Sequence, residues 1–553
     1  MVRSSQRSAR TRAADQDGSD GSRSWRARNR GLVGVAAAAA LTLAACSSSA
    51  KTPTPSPTGG TGTGGASSAA GKVGGTLTVV TDDSPQTLDP AKAVQNDAWF
   101  TELAYEPLIV RNADGTLAPG LATSWNYVGT GNTTFVLHLR SGVKFSDGTP
   151  LTATTVVDDL RYVVASKGQM APFLAGDTFT ATDPLTVTIK AAAADPNFPQ
   201  LLIQDYVIGG MVSGPGLASP TQLGTKTLGA GPYVLDPGQT VTGDHYTYLP
   251  NPNYYDPSAV HWKKVVVKVV ADVQSVLTTI QTGGADVAQG DPQTQAAAKK
   301  DGLTIASSPL LWSGVVLADR GGKLSKPLAD ARVRQALNYG TDRTTLVNAL
   351  FNGIGTPTDQ MTVPGGYGYD ASLNSTYPYN TTKAKQLLTA AGYPNGFTLK
   401  IVTPDYQQLN LMAQALKQQW QQIGVNLQIT DDSNANQYDA AAFGGQFPAF
   451  MTSFGAIPIW MEGPSLFMPP AAFNPFHSAD PTLTSLFNQE AVTAAGSAQT
   501  QADQKIEGYL VQQGWFVPVV ATGLPYYARS TVTGISTSAT EPLLDLYDVQ
   551  PAD

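Results

Sequence analysis

Few residues in this 553-residue chain are suited to covalent or metal chemistry, and none stands in the spacing a reaction needs. The single cysteine, Cys46, can neither close an intramolecular disulfide nor build a thiolate metal site alone. The four histidines, His138, His245, His261 and His477, lack metal-ligand spacing, and no H-E-x-x-H pair occurs. No G-x-S-x-G elbow presents a serine nucleophile, and no G-x-x-x-x-G-K-[ST] loop cradles a phosphate. Two carboxylates brought together only by folding leave no local pattern, so a surface hydrolase with dispersed acids stays open as one reading. The more conspicuous feature is contact chemistry. Residues 450–476 are rich in aromatics and methionine, including Phe454, Trp460, Met461, Phe467 and Met468, a run that suits a plastic apolar pocket or ordinary core.

These side chains need elements to place them. Phe135, Leu137 and Leu139 alternate with Val136, His138 and Arg140, the period of a strand with one buried face. A Gly/Asn-rich turn at 129–132 precedes this strand and Ser146-Asp147-Gly148 makes a second turn after it. Thr152 or Thr154 then caps a helix whose Val156, Val157 and Leu160 share a face. Similar patterns place strands at 76–80, 185–190, 264–270, 398–402 and 425–429, and helices at 98–108, 273–282 and 409–423. Alternation of strands and helices argues for α/β layers. At this length there is room for two or more hydrophobic cores, and 42% hydrophobic against 14% charged residues predicts that most of the chain folds.

The first 45 residues differ in kind. Arginines crowd residues 1–30, and an apolar stretch of about fifteen residues follows, short of the roughly twenty that span a bilayer but right for a signal-peptide core. Leu43-Ala44-Ala45-Cys46 resembles a bacterial lipobox, which implies cleavage before Cys46 and a diacylglyceryl group on its sulfur; absence of an Arg-Arg pair favours the general secretory route. Residues 46–73, mostly Ser, Thr, Pro, Gly and Ala, read as a disordered tether reaching roughly 25–30 Å. Removal of the leader takes away eight Arg and three Asp, so a net charge of −7 becomes about −12. Such an acidic chain offers no basic surface for nucleic acid.

Leu117-Ala118-Pro119-Gly120-Leu121-Ala122, Ser124-Trp125, the strand at 135–140, Gly142-Val143-Lys144-Phe145 and Asp147-Gly148 resemble the signature of family 5 solute-binding proteins. Those are extracytoplasmic receptors of ABC importers for peptides, nickel and some other solutes. Leu88-Asp89-Pro90, Gly229-Ala230-Gly231-Pro232-Tyr233 (Ala230 replacing the usual Thr), Asn251-Pro252-Asn253-Tyr254-Tyr255, and the stretches 330–339 and 379–397 extend the resemblance from Gly74 to the C-terminus. It implies an α/β, type II periplasmic-binding-protein fold with two lobes around a ligand cleft. Lobe one is expected at 74–118, 229–312 and 522–553, with a subdomain of 119–228 inserted, and lobe two at 313–521. Within 330–339, Arg332 and Arg334 invite an anion site, although a solvated helix face with local ion pairs is the plainer reading.

By the same resemblance the loop after Asp89-Pro90 contributes Asn96, Asp97 and Tyr105 to the cleft, the lobe crossing brings Trp312 and Ser313, and the returning strand brings Tyr526. Trp460 joins from the aromatic run. Peptide-binding relatives often carry Gly-Trp and then an Asp for the peptide's α-amino group, but here Gly444-Gly445-Gln446-Phe447-Pro448 has neither Trp nor Asp. Gln446 and Phe447 occupy that place, and an amide cannot supply a carboxylate. Either another acid serves or the ligand lacks a free amino terminus, since a buried unpaired ammonium is costly. The expectation is a non-enzymatic, monomeric, lipid-anchored receptor that passes oligopeptides to ABC permease subunits, with no cofactor or metal. An oligosaccharide or metal chelate is the alternative solute.

Overall fold

A computed structural model describes residues 73–94, 97–112, 114–455, 457–469, 471–540 and 543–552. The leader at 1–45, Cys46, all but the last residue of the tether, and Asn96 lie outside the described residues.

Apolar strands of matching length build the first sheet. Gly74–Thr81 buries Leu77, Val79 and Val80 and pairs in parallel with Trp262–Val269 on one side and Val287–Gln289 on the other. A parallel neighbour demands a long crossover, and the helix Val273–Gln281 supplies it, capped by Asp272, whose carboxylate accepts from the Ser275 amide at 2.8 Å. The full sheet runs Thr304–Ala306, Tyr526–Ala528, Val287–Gln289, Gly74–Thr81, Trp262–Val269, His245–Pro250, Tyr233–Leu235. The second sheet runs Thr356–Pro357, Phe516–Gly523, Pro309–Val316, Ala449–Gly455, Phe397–Pro404, Val425–Asp432. Its helix Leu409–Gln421 buries Leu409, Met412, Ala413, Leu416 and Trp420, one continuous face at helical spacing, between two parallel strands. A third, antiparallel sheet of Ala122–Tyr127, Thr134–Leu139, Thr186–Lys190 and Thr178–Asp183 belongs to the stretch inserted between Gly74–Thr81 and Tyr233–Leu235. Phe135, Leu137 and Leu139 point into its core, and Thr152 caps the helix Ala153–Ser166 by accepting from the Thr155 amide at 3.2 Å.

The chain passes between the first and second sheets at two places. Ser307 and Ser308 separate Thr304–Ala306 from Pro309–Val316; Leu524 and Pro525 separate Phe516–Gly523 from Tyr526–Ala528. Pro309–Val316 and Phe516–Gly523 lie antiparallel to each other in the second sheet. The divisions read from sequence at 312/313 and 521/522 therefore fall inside strands, because each strand keeps its ladder up to the linker.

Two other readings change. The helix expected at 98–108 is one turn, Ala98–Thr101. The Leu103 and Ala104 carbonyls accept instead from the Tyr233 and Gly231 amides, both at 2.9 Å, so tertiary pairing takes the groups that a longer helix would use. Gly229 and Gly231 permit this approach: a β-carbon on Gly229 would collide with the Ala104 carbonyl oxygen, and one on Gly231 would sit 2.6 Å from the Ala104 carbonyl carbon. Arg334, read as part of a solvated face, is buried, donating to the Leu328 carbonyl at 2.7 Å and the Gln513 carbonyl at 2.9 Å. Arg332 does sit half-exposed, paired with Asp330 at 2.6 Å.

Three carboxyl groups meet in the core of the second half. Glu462 and Glu507 are fully buried and Asp503 nearly so. The Met361 amide donates to one Glu507 oxygen at 2.8 Å, while both oxygens of Glu462 and one each of Asp503 and Glu507 have no partner among the described residues. Burial pushes Glu507 up to about 7 and Asp503 up to about 8; burial, then repulsion from Glu507 and Asp503, raises Glu462 well above its ordinary value.

These acids are raised above their unfolded values, so the stability they permit is complete at about pH 4 and is lost as pH rises through about 7 to 8. The thermal midpoint is expected to fall by several degrees between about pH 5 and pH 8, and Glu462→Gln to flatten that slope; a midpoint flat or rising over the interval in the unaltered chain contradicts it. Gly229→Ala is expected to destabilise by about 2 kcal/mol or more in denaturant melts, whereas Gly75→Ala, with open space around the new β-carbon, changes little.

Candidate ligand-binding site

In open α/β sheets ligands lie beyond the carboxyl ends of the strands. Here a cavity of about 410 Å³ sits there, between the first and second sheets. Asp82 and Asp83 follow directly on Gly74–Thr81, Gly290 and Asp291 on Val287–Gln289, and all four line it. From the second sheet come Leu310, Leu311 and Ser313 of one crossing strand, Thr522 of the other, and Ser453 of Ala449–Gly455. Gln407 and Gln408, beyond Phe397–Pro404, complete that side. Both are left-handed, with φ of 49° and 61°, a conformation that costs a non-glycine residue on the order of 1 kcal/mol or more and concentrates at binding sites.

The charge is one-sided. Among the described residues three carboxylates, Asp82, Asp83 and Asp291, line the cavity, and no Lys, Arg or His does. Gln289 donates to Asp82 at 3.2 Å, the Ser84 amide to Asp83 at 2.8 Å, and the Gln293 amide to Asp291 at 2.7 Å. Partial burial raises Asp82 above its ordinary value, and repulsion from Asp83 and Asp291 adds to it. This is an environment that favours a cationic group on whatever enters.

The residues singled out from sequence divide. Ser313 and Tyr526 line the cavity; the Ser313 hydroxyl donates to that of Ser453 at 3.0 Å, and the buried Tyr526 ring lies 5.4 Å from Trp99, itself a wall residue. Asp97 stands beside them in a supporting role. Its two oxygens accept from the Gln86 and Val94 amides, both at 3.1 Å, fixing the loop that delivers Ala98 and Trp99. Trp312 alternates with Leu311 and Ser313 and is wholly buried, edge-on to Phe516 at 5.7 Å. Tyr105 is buried away from the cavity, its hydroxyl accepting from the Leu228 amide at 3.3 Å. Gln446 is exposed and donates back to the Ala440 carbonyl at 3.2 Å, and Phe447 packs against the aromatic core of the second half. Neither borders the cavity. Trp460 packs edge-on against Phe173 at 6.1 Å and lines a separate cavity of about 610 Å³ with Phe173, Met468 and Phe487. The aromatic run therefore divides between core and this second space.

Asp82, Asp83 and Asp291 were not singled out, although two adjacent aspartates closing a strand at 76–80 were a usable signal. Asp291 had none, since Val287–Gln289 is only three residues long. Among the described residues no group of three or more His, Cys, Asp or Glu is arranged to hold a metal ion, and no helix is long and apolar enough to cross a membrane.

Residues 116–470 match the model of the bacterial extracellular solute-binding proteins, family 5. The glutathione-binding protein GsiB of Shigella boydii is 27% identical over 479 residues, covering 83% of this chain and 91% of that protein. Two solved structures share the fold with a TM-score of 0.70, each over 87% of this chain and 99% of its own. They are the periplasmic binding protein DppA of Helicobacter pylori with the peptide STSA, at 19% identity, and AgaA of A. tumefaciens R10 with agropinic acid, at 20%. The cleft at the carboxyl ends of two sheets, the shared fold and a family match over more than half of its length lead to one conclusion: the chain belongs to the bacterial extracellular solute-binding proteins, family 5, the substrate-binding components of ABC transporters.

Proposed function

We propose that the cavity between the first and second sheets captures a short peptide or peptide-like solute by its free ammonium group. The protein then delivers it to an ABC permease, as a monomer and without turning it over. The observation that carries this reading is the trio Asp82, Asp83 and Asp291 in a cavity that no basic residue borders among the described residues. It supplies from the first sheet the acid that is missing around Gln446. The glutathione bound by GsiB and the peptide in DppA, named for those proteins, support the same class. Leu311, Ser313 and Thr522 face the ligand from the second sheet, so a solute touching both sides favours their closure about the linkers Ser307-Ser308 and Leu524-Pro525. The two bodies joined by those linkers act as the lobes of the receptor, with the stretch at 119–228 as a subdomain of the first. Cys46 carries the lipid that holds the receptor on the outer face of the cell membrane.

Mass spectrometry of ligand released from the purified full chain is expected to show short peptides, and trialanine to raise the thermal midpoint. A ligand at a hundred times its Kd adds about 2.7 kcal/mol. Asp82→Asn should weaken trialanine about tenfold or more, and N-acetyl-trialanine should bind poorly to the unaltered chain. Because Asp82 must be ionised to hold an ammonium and its pKa is raised, affinity should fall with decreasing pH before the ordinary carboxylate range is reached. A released sugar, equal binding of the acetylated probe, or turnover of trialanine tells against the reading. For the anchor, Cys46→Ser is expected to move the protein from the membrane fraction to the soluble one in fractionated cells; retention in the membrane counts against lipidation there.

A further inference from the structure

Beside the main cavity lies a smaller chamber, about 30 Å³, which shares Leu310 with it. Its walls come from every part of the molecule: Arg111, Asp205 and Tyr206 from the side of the insertion, Tyr367 and Gly455 from the second half, Thr540 from the C-terminal segment. A single water-sized group needs about 10–15 Å³ by this measure, so the chamber accepts one small polar group and not a side chain.

Arg111 is the chamber's chemical feature. It is 2% exposed, and its guanidinium pairs with the Asp205 carboxylate. Its backbone is held on both sides by the Gln204 side chain, which accepts from the Arg111 amide at 2.9 Å and donates to the Arg111 carbonyl at 2.8 Å. The side chain is therefore fixed in place, yet its Nε–H is buried with no partner among the described residues. A buried donor left unmatched is destabilising, so an acceptor delivered to it is bound favourably. Charge decides the kind of acceptor. Asp205 already balances the guanidinium, and a ligand carboxylate would bring a second buried negative charge against it; a neutral carbonyl satisfies the Nε–H without that cost.

We infer that this chamber is a subsite for an uncharged acceptor oxygen of the ligand, an amide carbonyl, and that Arg111 selects it. The inference rests on the peptide reading above and adds that the end of the ligand passing Leu310 is preferred neutral.

Calorimetric titration of the full chain with trialanine amide and with trialanine bearing a free carboxylate tests it, since both probes keep the ammonium group. The amide is expected to bind about tenfold more tightly than the acid. Arg111→Lys keeps a cation for Asp205 but lacks the Nε–H; it should weaken the amide about fivefold and narrow the gap between the probes. Asp82→Asn should weaken both probes and leave their ratio unchanged. Equal or tighter binding of the acid by the unaltered chain overturns the inference while leaving the peptide reading standing. Failure of both probes to bind overturns both. If Arg111→Lys does not fold, as judged by its thermal transition, the comparison of the two probes on the unaltered chain decides alone.

Discussion

The antiparallel pairing of Pro309–Val316 with Phe516–Gly523 is the contact on which the rest of the molecule depends. These strands bring the chain into the second sheet and take it out again, so the ladder between them holds two segments about two hundred residues apart. It contains an irregularity between Ser313 and Gly314, and a β-carbon on Gly314 would meet the Val517 carbonyl oxygen, so a glycine is needed where the backbones approach most closely. Trp312 and Phe516 anchor the far face, while Leu311, Ser313 and Thr522 present the near face to the cavity. One pair of strands thus serves at once as core, as connection between sheets and as wall of the cavity.

The linkers beside this pair are short. Two residues at each crossing leave little freedom for translation of one sheet past the other, but a few backbone torsions suffice for rotation. Most of the cavity wall lies within a few residues of a linker or a strand terminus, where a small rotation changes the separation of the two sides most directly. The left-handed Gln407 and Gln408 belong to the same logic, since a helix that starts on two strained residues holds its amide side chains at the cavity edge.

Much of this was legible in the chain. Period-2 alternation at 135–140 gave a strand with the correct buried face, Thr152 its helix cap, and the helix at 409–423 was read to within two residues of Leu409–Gln421. Local signals failed where distant partners compete for the same groups. The Leu103 and Ala104 carbonyls are spent on Tyr233 and Gly231, more than 120 residues away, and Arg334 finds one of its acceptors at Gln513. The site was harder still. Ser313 and Tyr526 reach the cavity wall because they adjoin the crossings. Tyr105, Gln446, Phe447 and Trp460 follow family position or composition, neither of which says which way a side chain faces. Asp291 joins Asp82 only because Val287–Gln289 pairs in parallel with Gly74–Thr81, a long-range fact with no local trace.

That parallel pairing also gives binding an order in time. All three carboxylates sit on one side of the cavity, and the opposite wall offers hydroxyl, amide and hydrocarbon groups. On the proposed reading, an approaching ammonium would be drawn toward the first sheet by the carboxylates lining the cavity, a pull that weakens with ionic strength. The uncharged groups of the opposite wall would act at short range, after contact, and slow escape. Capture and retention are thereby separable quantities, open to independent tuning by changes on opposite walls of one cavity.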